Sequence, residues 1–294
     1  MKSLCAMTVD VEEYFQVEAF ADTVSISSWK DQTSRIEHQM DVLLGVFDQF
    51  NVKATFFTLG WVAKVCPQII KRIVEQGHEL ASHGFMHQHI TRQSRQEFAD
   101  DIRRAKDILE QVSGKEIVGF RAPCFSIRHD NEWAHDEIAA AGYTYSSSSY
   151  PINHDLYGVP NAPATPYKLA NGLLEIPVTT CNWMGKTLPA GGGGYFRLLP
   201  YGLFHYLFNK GLREHGTANF YTHPWEFDPE QPRLPGGFKS QFRHHVNQKY
   251  AANKLSKLCR DFNWQTMRDC YLGSDVEYPV YSDWLLAANV NSSS

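Results

Sequence analysis

Leu4-Cys5-Ala6-Met7-Thr8-Val9-Asp10-Val11-Glu12-Glu13 opens the chain as a short apolar, β-prone run that ends in carboxylates. A buried strand delivers polar residues to a sheet edge in this way. In an extended segment side chains alternate, so Asp10 and Glu12 share one face while Val11 points to the other. Working outward, residues 34–50 carry Ile36, Met40, Leu43, Leu44 and Phe47 at helical spacing, and 54–59 read as the next strand. Residues 67–76 read as a helix with Gly77 at its C-cap, and Glu79-Leu80-Ala81 as a brief strand ending at Ser82-His83. The alternation continues with a long amphipathic helix over 95–111, a strand over 117–120 ending at Arg121 and a helix over 130–141 capped by Gly142. A strand over 143–145 and a late strand over 218–222 ending at His223 complete it.

Strands alternating with helices imply an α/β fold with a parallel sheet and right-handed crossovers, and polar residues at the strands' carboxyl ends lie where α/β barrels keep their chemistry. The expectation is a single barrel domain over 1–288. It carries a loop insertion over the barrel mouth at about 151–200, a C-terminal extension at about 228–288 and a flexible tail at 289–294. Gly191-Gly192-Gly193-Gly194 reads either as a flexible loop or as a substrate lid. It is no phosphate cradle, because the Lys and Ser/Thr that a P-loop needs do not follow.

With 294 residues, 43% hydrophobic and 20% charged, the chain can bury a full core. A formal net charge of -4 and the lack of a basic stripe argue against a nucleic-acid partner. Six cysteines without a C-x-x-C pair read as mostly reduced. The apolar run 4–9 is too short for a signal-peptide core or a transmembrane segment, so the expected location is cytoplasmic. A homo-oligomer is compatible with all of this.

His83 and His87, four residues apart in Ser82-His83-Gly84-Phe85-Met86-His87, can converge on one divalent ion from a single turn. A carboxylate from a distant strand end completes three protein ligands and leaves a position open for water, which marks a catalytic rather than a structural metal. His78 and His89 read as surface or supporting residues, and Glu13 as a solvated side chain.

With its motifs in this order, the chain resembles the polysaccharide deacetylases, the NodB-homology or carbohydrate esterase 4 family. The likeness runs over residues 4–227: Thr8-Val9-Asp10-Val11-Glu12, the histidine segment, Phe120-Arg121-Ala122-Pro123-Cys124-Phe125 and Tyr221-Thr222-His223-Pro224. It implies a distorted (β/α) barrel of about seven strands and one divalent metal, zinc first, with cobalt, nickel, manganese or iron also accepted by two imidazoles and a carboxylate. Segments 191–201, 223–226 and 234–244 are similar to a subgroup from bacterial exopolysaccharide, exosortase (PEP-CTERM) loci. That likeness points to an N-acetylated glycan of an exopolysaccharide or its precursor as substrate.

Where the family places an aspartate ligand this chain has Val11, and Glu12 is the substitute, so the resemblance assigns Glu12, His83 and His87 to the metal. Asp10 is then the general base, His223 the acid toward the departing amine, and Arg121 the charge partner that orients Asp10. The bland alternatives are a buried ion pair for Arg121 and a structural histidine for His223. A backbone N–H near Cys124 is the implied oxyanion donor. Phe125, Trp183, Tyr195 and Trp225 are candidate sugar platforms or mere packing, and Arg197 a contact for an anionic group. Ser146-Ser147-Ser148-Ser149 stands where relatives carry a supporting aspartate, a duty that Asp155 or Glu226 can take over from another loop. Two other readings keep much of the same pattern: an amidohydrolase of small cyclic amides or ureides, allantoinase-like, and an inactive glycan-binding homologue.

Overall fold

The computed structural model describes residues 4–153, 158–273 and 276–281; the tail expected at 289–294 and Asp155 lie outside them. The sheet starts from β1 (Leu4–Val11), buried from Cys5 onward as a strand covered on both faces must be. There follow α1 (Ile36–Gln49), β2 (Thr55–Thr58), α2 (Gly60–Val65), α3 (Pro67–Glu75), β3 (Glu79–Ser82), α4 (Arg95–Ser113), β4 (Gly119–Phe120), α5 (Ala134–Ala140) and β5 (Tyr145–Ser146). Next come β6 (Tyr167–Lys168), β7 (Leu174–Glu175), β8 (Thr180–Trp183), β9 (Lys186–Pro189), α6 (Gly193–Leu198) and α7 (Tyr201–His215). Last are β10 (Thr217–Thr222), α8 (Phe238–His245), α9 (Gln248–Asp261), β11 (Trp264–Gln265) and α10 (Met267–Tyr271).

Seven strands run parallel in the order β10-β1-β2-β3-β4-β5-β7, with β6 antiparallel on the outer edge and β11 also on β1. Strand twist curls this sheet into a half-barrel, the fold expected from the alternation and the resemblance. Helix α1 packs Ile36, Met40, Leu43, Leu44 and Phe47 against it, the residues whose spacing marks the helix in the sequence. Its N-terminus corrects the reading of Glu13. That carboxylate is fully buried and accepts the backbone N–H groups of Arg35 and Ile36, neutralising the orphan donors of the first turn. His78 is likewise no surface residue: it is buried among Phe47 and Phe56, and its Nδ1 accepts the Ala54 N–H at 3.2 Å.

The described residues of 151–200 are not one long loop. They include β6 to β9, and the two flanks of the β8-β9 ribbon, 176–179 and 190–192, fill the seam left between β7 and β10. Ile176 N donates to Ser146 O, Asn219 Nδ2 to Pro177 O and Tyr221 N to Gly191 O. The glycine run is therefore neither a flexible loop nor a lid. A Cβ on Gly191 would lie 2.5 Å from the Asn219 carbonyl oxygen, and one on Gly193 would lie 2.1 Å from Glu226 Oε2. Glycine is needed there because two backbones and a buried carboxylate approach too closely for a side chain.

Candidate metal centre

Parallel register brings the carboxyl ends of the central strands to one rim: Val9 pairs with Thr222, Val11 with Thr58, Thr58 with Ser82, and Ser82 with Phe120. Asp10, Glu12, His83, Arg121 and His223 consequently emerge side by side. One ligand atom each of Glu12, His83 and His87, all buried, lie within 4.8 Å of one another. Glu12 Oε2 is 2.7 Å from His87 Nε2, off hydrogen-bond alignment, so that this oxygen has no donor.

His83 Nδ1 lies 2.8 Å from the Arg121 carbonyl oxygen. A carbonyl can only accept, so Nδ1 carries the proton and Nε2 keeps its lone pair for the site. Burial pushes His83 down to about 4, with the Asp10 and Glu12 charges only partly opposing it. Burial also favours neutral His87, but the Glu12 carboxylate outweighs it and moves this imidazole up. For Glu12 burial opposes the charge, yet His87, His223 and His83 together hold its carboxyl well below the usual range. A buried carboxylate oxygen without a donor beside a neutral imidazole and a second histidine fits a divalent cation. His87 also holds φ at 53°, a sparsely populated region for a non-glycine residue and a frequent mark of a functional site.

Asp10 is bound on its other side. Arg121, with no exposed surface, donates Nη1 to Asp10 Oδ1 at 2.6 Å and to Thr8 Oγ1 at 2.8 Å. Its remaining nitrogens reach the Ser147 carbonyl and hydroxyl at 3.1 Å each, and its plane lies over the Phe57 ring. Across the site His223 Nε2 lies 3.9 Å from Asp10 Oδ2 and 3.8 Å from Glu12 Oε1. Its Nδ1 meets Glu226 Oε1 at 3.0 Å. Burial works against protonated His223, but the Glu226 bond and the surrounding carboxylates outweigh it and raise it to about 9. Glu226 in turn accepts Thr222 Oγ1 at 2.6 Å and faces Arg197 Nε at 3.6 Å. Ser147 thus supports the arginine, and Glu226 the histidine.

Several expected substrate contacts are corrected. Arg197 is 1% exposed and spends its guanidinium on the carbonyls of Arg243, His244 and Val246, so it presents nothing to an anionic ligand. Trp225 cannot serve as a sugar platform, because His223 and His244 cover its ring, stacked at 5.0 and 4.2 Å. Phe125 is buried edge-on to Tyr150 and Tyr221. Trp183 packs on Tyr206 at the end of the β8-β9 ribbon, and among the described residues no hydrogen bond, ion pair or ring contact joins Trp183 or Tyr195 to the cluster. Cys124 follows Arg121 in the turn Pro123–Phe125 with φ at 55°, partly exposed.

Sequence reasoning missed Thr8, Ser147 and His244, whose roles depend on partners far along the chain. It also missed the lobe of Tyr14, Phe15, Phe20 and Trp29 that packs against Trp225. This lobe borders a cavity of about 190 Å³ lined by Trp29, Met86, His87, His89 and Arg92 among others. His89, buried rather than surface, therefore neighbours the site. A larger cavity of about 430 Å³, lined by Trp133, His135 and Tyr167 among others, shares none of the cluster's residues.

Residues 27–146 match the family model described as polysaccharide deacetylase. This chain carries a polysaccharide deacetylase domain. The deacetylase match takes in His83, His87 and Arg121, while residues 147–272, with His223 and Trp225, match a domain of unknown function (DUF3473). The chain is 32% identical over 96 residues to a peptidoglycan-N-acetylglucosamine deacetylase of Bacillus cereus, covering 32% of this chain and 35% of that protein. It is 36% identical over 117 residues to a peptidoglycan deacetylase-like protein of Gibberella zeae, covering 39% and 34%. It thus spans about a third of the length of these curated relatives. A Mycobacterium smegmatis crystal structure described as a polysaccharide deacetylase shares the fold, with a TM-score of 0.56 at 20% identity over 99% of this chain and 92% of that one.

Proposed function

We propose that the deacetylase domain, the strand before it and the segment after it form a metal-dependent hydrolase that removes N-acetyl groups from the amino sugars of a bacterial exopolysaccharide or its precursor. The observation that carries this reading is the convergence of Glu12, His83 and His87 beside Asp10, with His223 on the far side. Relatives named as peptidoglycan deacetylases support the reaction class. The short likenesses to exopolysaccharide-locus proteins support the choice of glycan. Glu12, His83 and His87 would hold the cation, which when bound polarises an amide carbonyl and acidifies water.

Asp10, oriented by Arg121, takes the proton of the attacking water. The Cys124 backbone N–H follows the arginine turn and stabilises the charge that develops on the carbonyl oxygen. His223, held protonated by Glu226, delivers a proton to the departing nitrogen, so that acetamide and water become acetate and a free amine. The test is acetate release from N-acetylglucosamine oligomers, run beside turnover of allantoin. The expected result is acetate from the sugar, no turnover of allantoin, and a loss of about 10²- to 10⁴-fold in Asp10→Asn, which keeps its metal. Asp10→Asn as active as the native chain, or allantoin as the better substrate, would overturn the proposal.

A further inference from the structure

Glu12 stands one residue later than the ligand position implied by the resemblance and has one more rotatable bond than an aspartate. Something must fix its rotation. The indole N–H of Trp225, which can only donate, meets Glu12 Oε1 at 3.0 Å. That bond occupies one carboxylate oxygen and leaves Oε2, the oxygen without a donor, 2.7 Å from His87 Nε2. If Glu12 turned away, a buried donor would be stranded, so the two side chains restrain each other.

The indole is itself immobilised from outside the deacetylase match. His244 of α8 stacks on it at 4.2 Å and 11°, with His223 stacked on it at 5.0 Å and 19°. The side-chain amides of Gln231 and Gln248 both donate to the Trp225 carbonyl, at 2.9 and 3.1 Å. Arg197 lies 5.3 Å from the ring centroid and ties α8 down through the carbonyls at 243, 244 and 246.

Resting on the metal-dependent reading above, we propose that Trp225 is a positioning residue for the metal centre. Its indole N–H presents a single oxygen of Glu12 to the cation, and residues 231–248 form the clamp that holds the indole. The segment matching a domain of unknown function thereby orients one ligand of a metal centre whose three ligands all precede it in the chain. Outer partners of metal ligands typically set affinity by one to two orders of magnitude.

The test is zinc affinity, by competition with a chromogenic chelator, and the visible spectrum of the cobalt-loaded protein, for the native chain, Trp225→Phe, His244→Leu, Glu12→Gln and His87→Ala. Trp225→Phe keeps the stacking ring and removes the donor. It is expected to weaken zinc by about 10- to 100-fold and to shift the cobalt bands. His244→Leu is expected to change both in the same direction, and it carries the test if the first variant does not fold. Native affinity and spectrum in both variants, with the metal lost in Glu12→Gln and His87→Ala, would overturn the clamp and leave the ligand set standing. Native affinity in Glu12→Gln and His87→Ala would overturn the ligand set itself.

Discussion

Among single residues, Glu226 shows how the charge at this site is arranged. The charge that supports His223 comes from three positions downstream of the histidine itself. Burial alone would lower His223, and the Glu226 bond together with the Glu12, Glu226 and Asp10 charges outweighs it, so Glu226→Gln, which removes the bonded carboxylate, brings the histidine down from about 9. A histidine that must be protonated to serve as acid then loses its proton at lower pH. The basic limb of the profile of kcat/KM against pH is expected to move toward acid in this variant. An unmoved limb would show that His223 is not the acid. The carboxylate and histidine motifs were legible in the sequence because each lies on one strand end. Ser147, His244 and the role of Trp225 were not, since each acts through a partner brought near only by the fold.

At the level of elements, helices with a regular apolar stripe were readable: α1 and α4 lie where their spacing puts them. The expected helix over 130–141 is shorter, with a 3-10 turn at His129–Asn131 ahead of α5. The strand expected over 143–145 shifts to Tyr145–Ser146, because pairing with Gly119 and Phe120 sets its limits. Two tests belong to this scale. His78, between β2 and α1, is pushed down to about 4 from an ordinary 6.5, by burial first and then by Lys53. Between those values the unfolded chain binds a proton that the fold refuses. Stability is therefore complete above about 6.5 and falls toward pH 4, by roughly 3 kcal/mol in all. Urea unfolding at pH 7 and pH 4.5 is expected to show a smaller acid loss for His78→Gln than for the native chain; equal losses would refute this. In the seam, Gly191→Ala meets the Asn219 carbonyl at 2.5 Å and is expected to cost about 1–3 kcal/mol. Gly194→Ala, which meets nothing within 4 Å, is expected to cost less than about 1 kcal/mol in the same unfolding assay.

Across the whole molecule, the two matched stretches share one sheet: β5 ends the first, and β7 and β10 of the second continue it on either side. Neither stretch holds every group of the site, since Asp10 and Glu12 precede the deacetylase match and His223 lies in the second. The parallel architecture was legible from the alternation of strands and helices. The closing of the seam by 176–179 and 190–192 was not, because their bonds run to β5 and β10 rather than along a periodic pattern. What joins these parts into one account is the proposed binding of a single cation by Glu12, His83 and His87 beside Asp10. The most direct measurement is acetate release from N-acetylglucosamine oligomers by metal-stripped protein as zinc is added back. The account predicts activity that rises from near zero and levels off at one equivalent per chain. Full activity without metal, or none at any zinc level in folded protein, would contradict it.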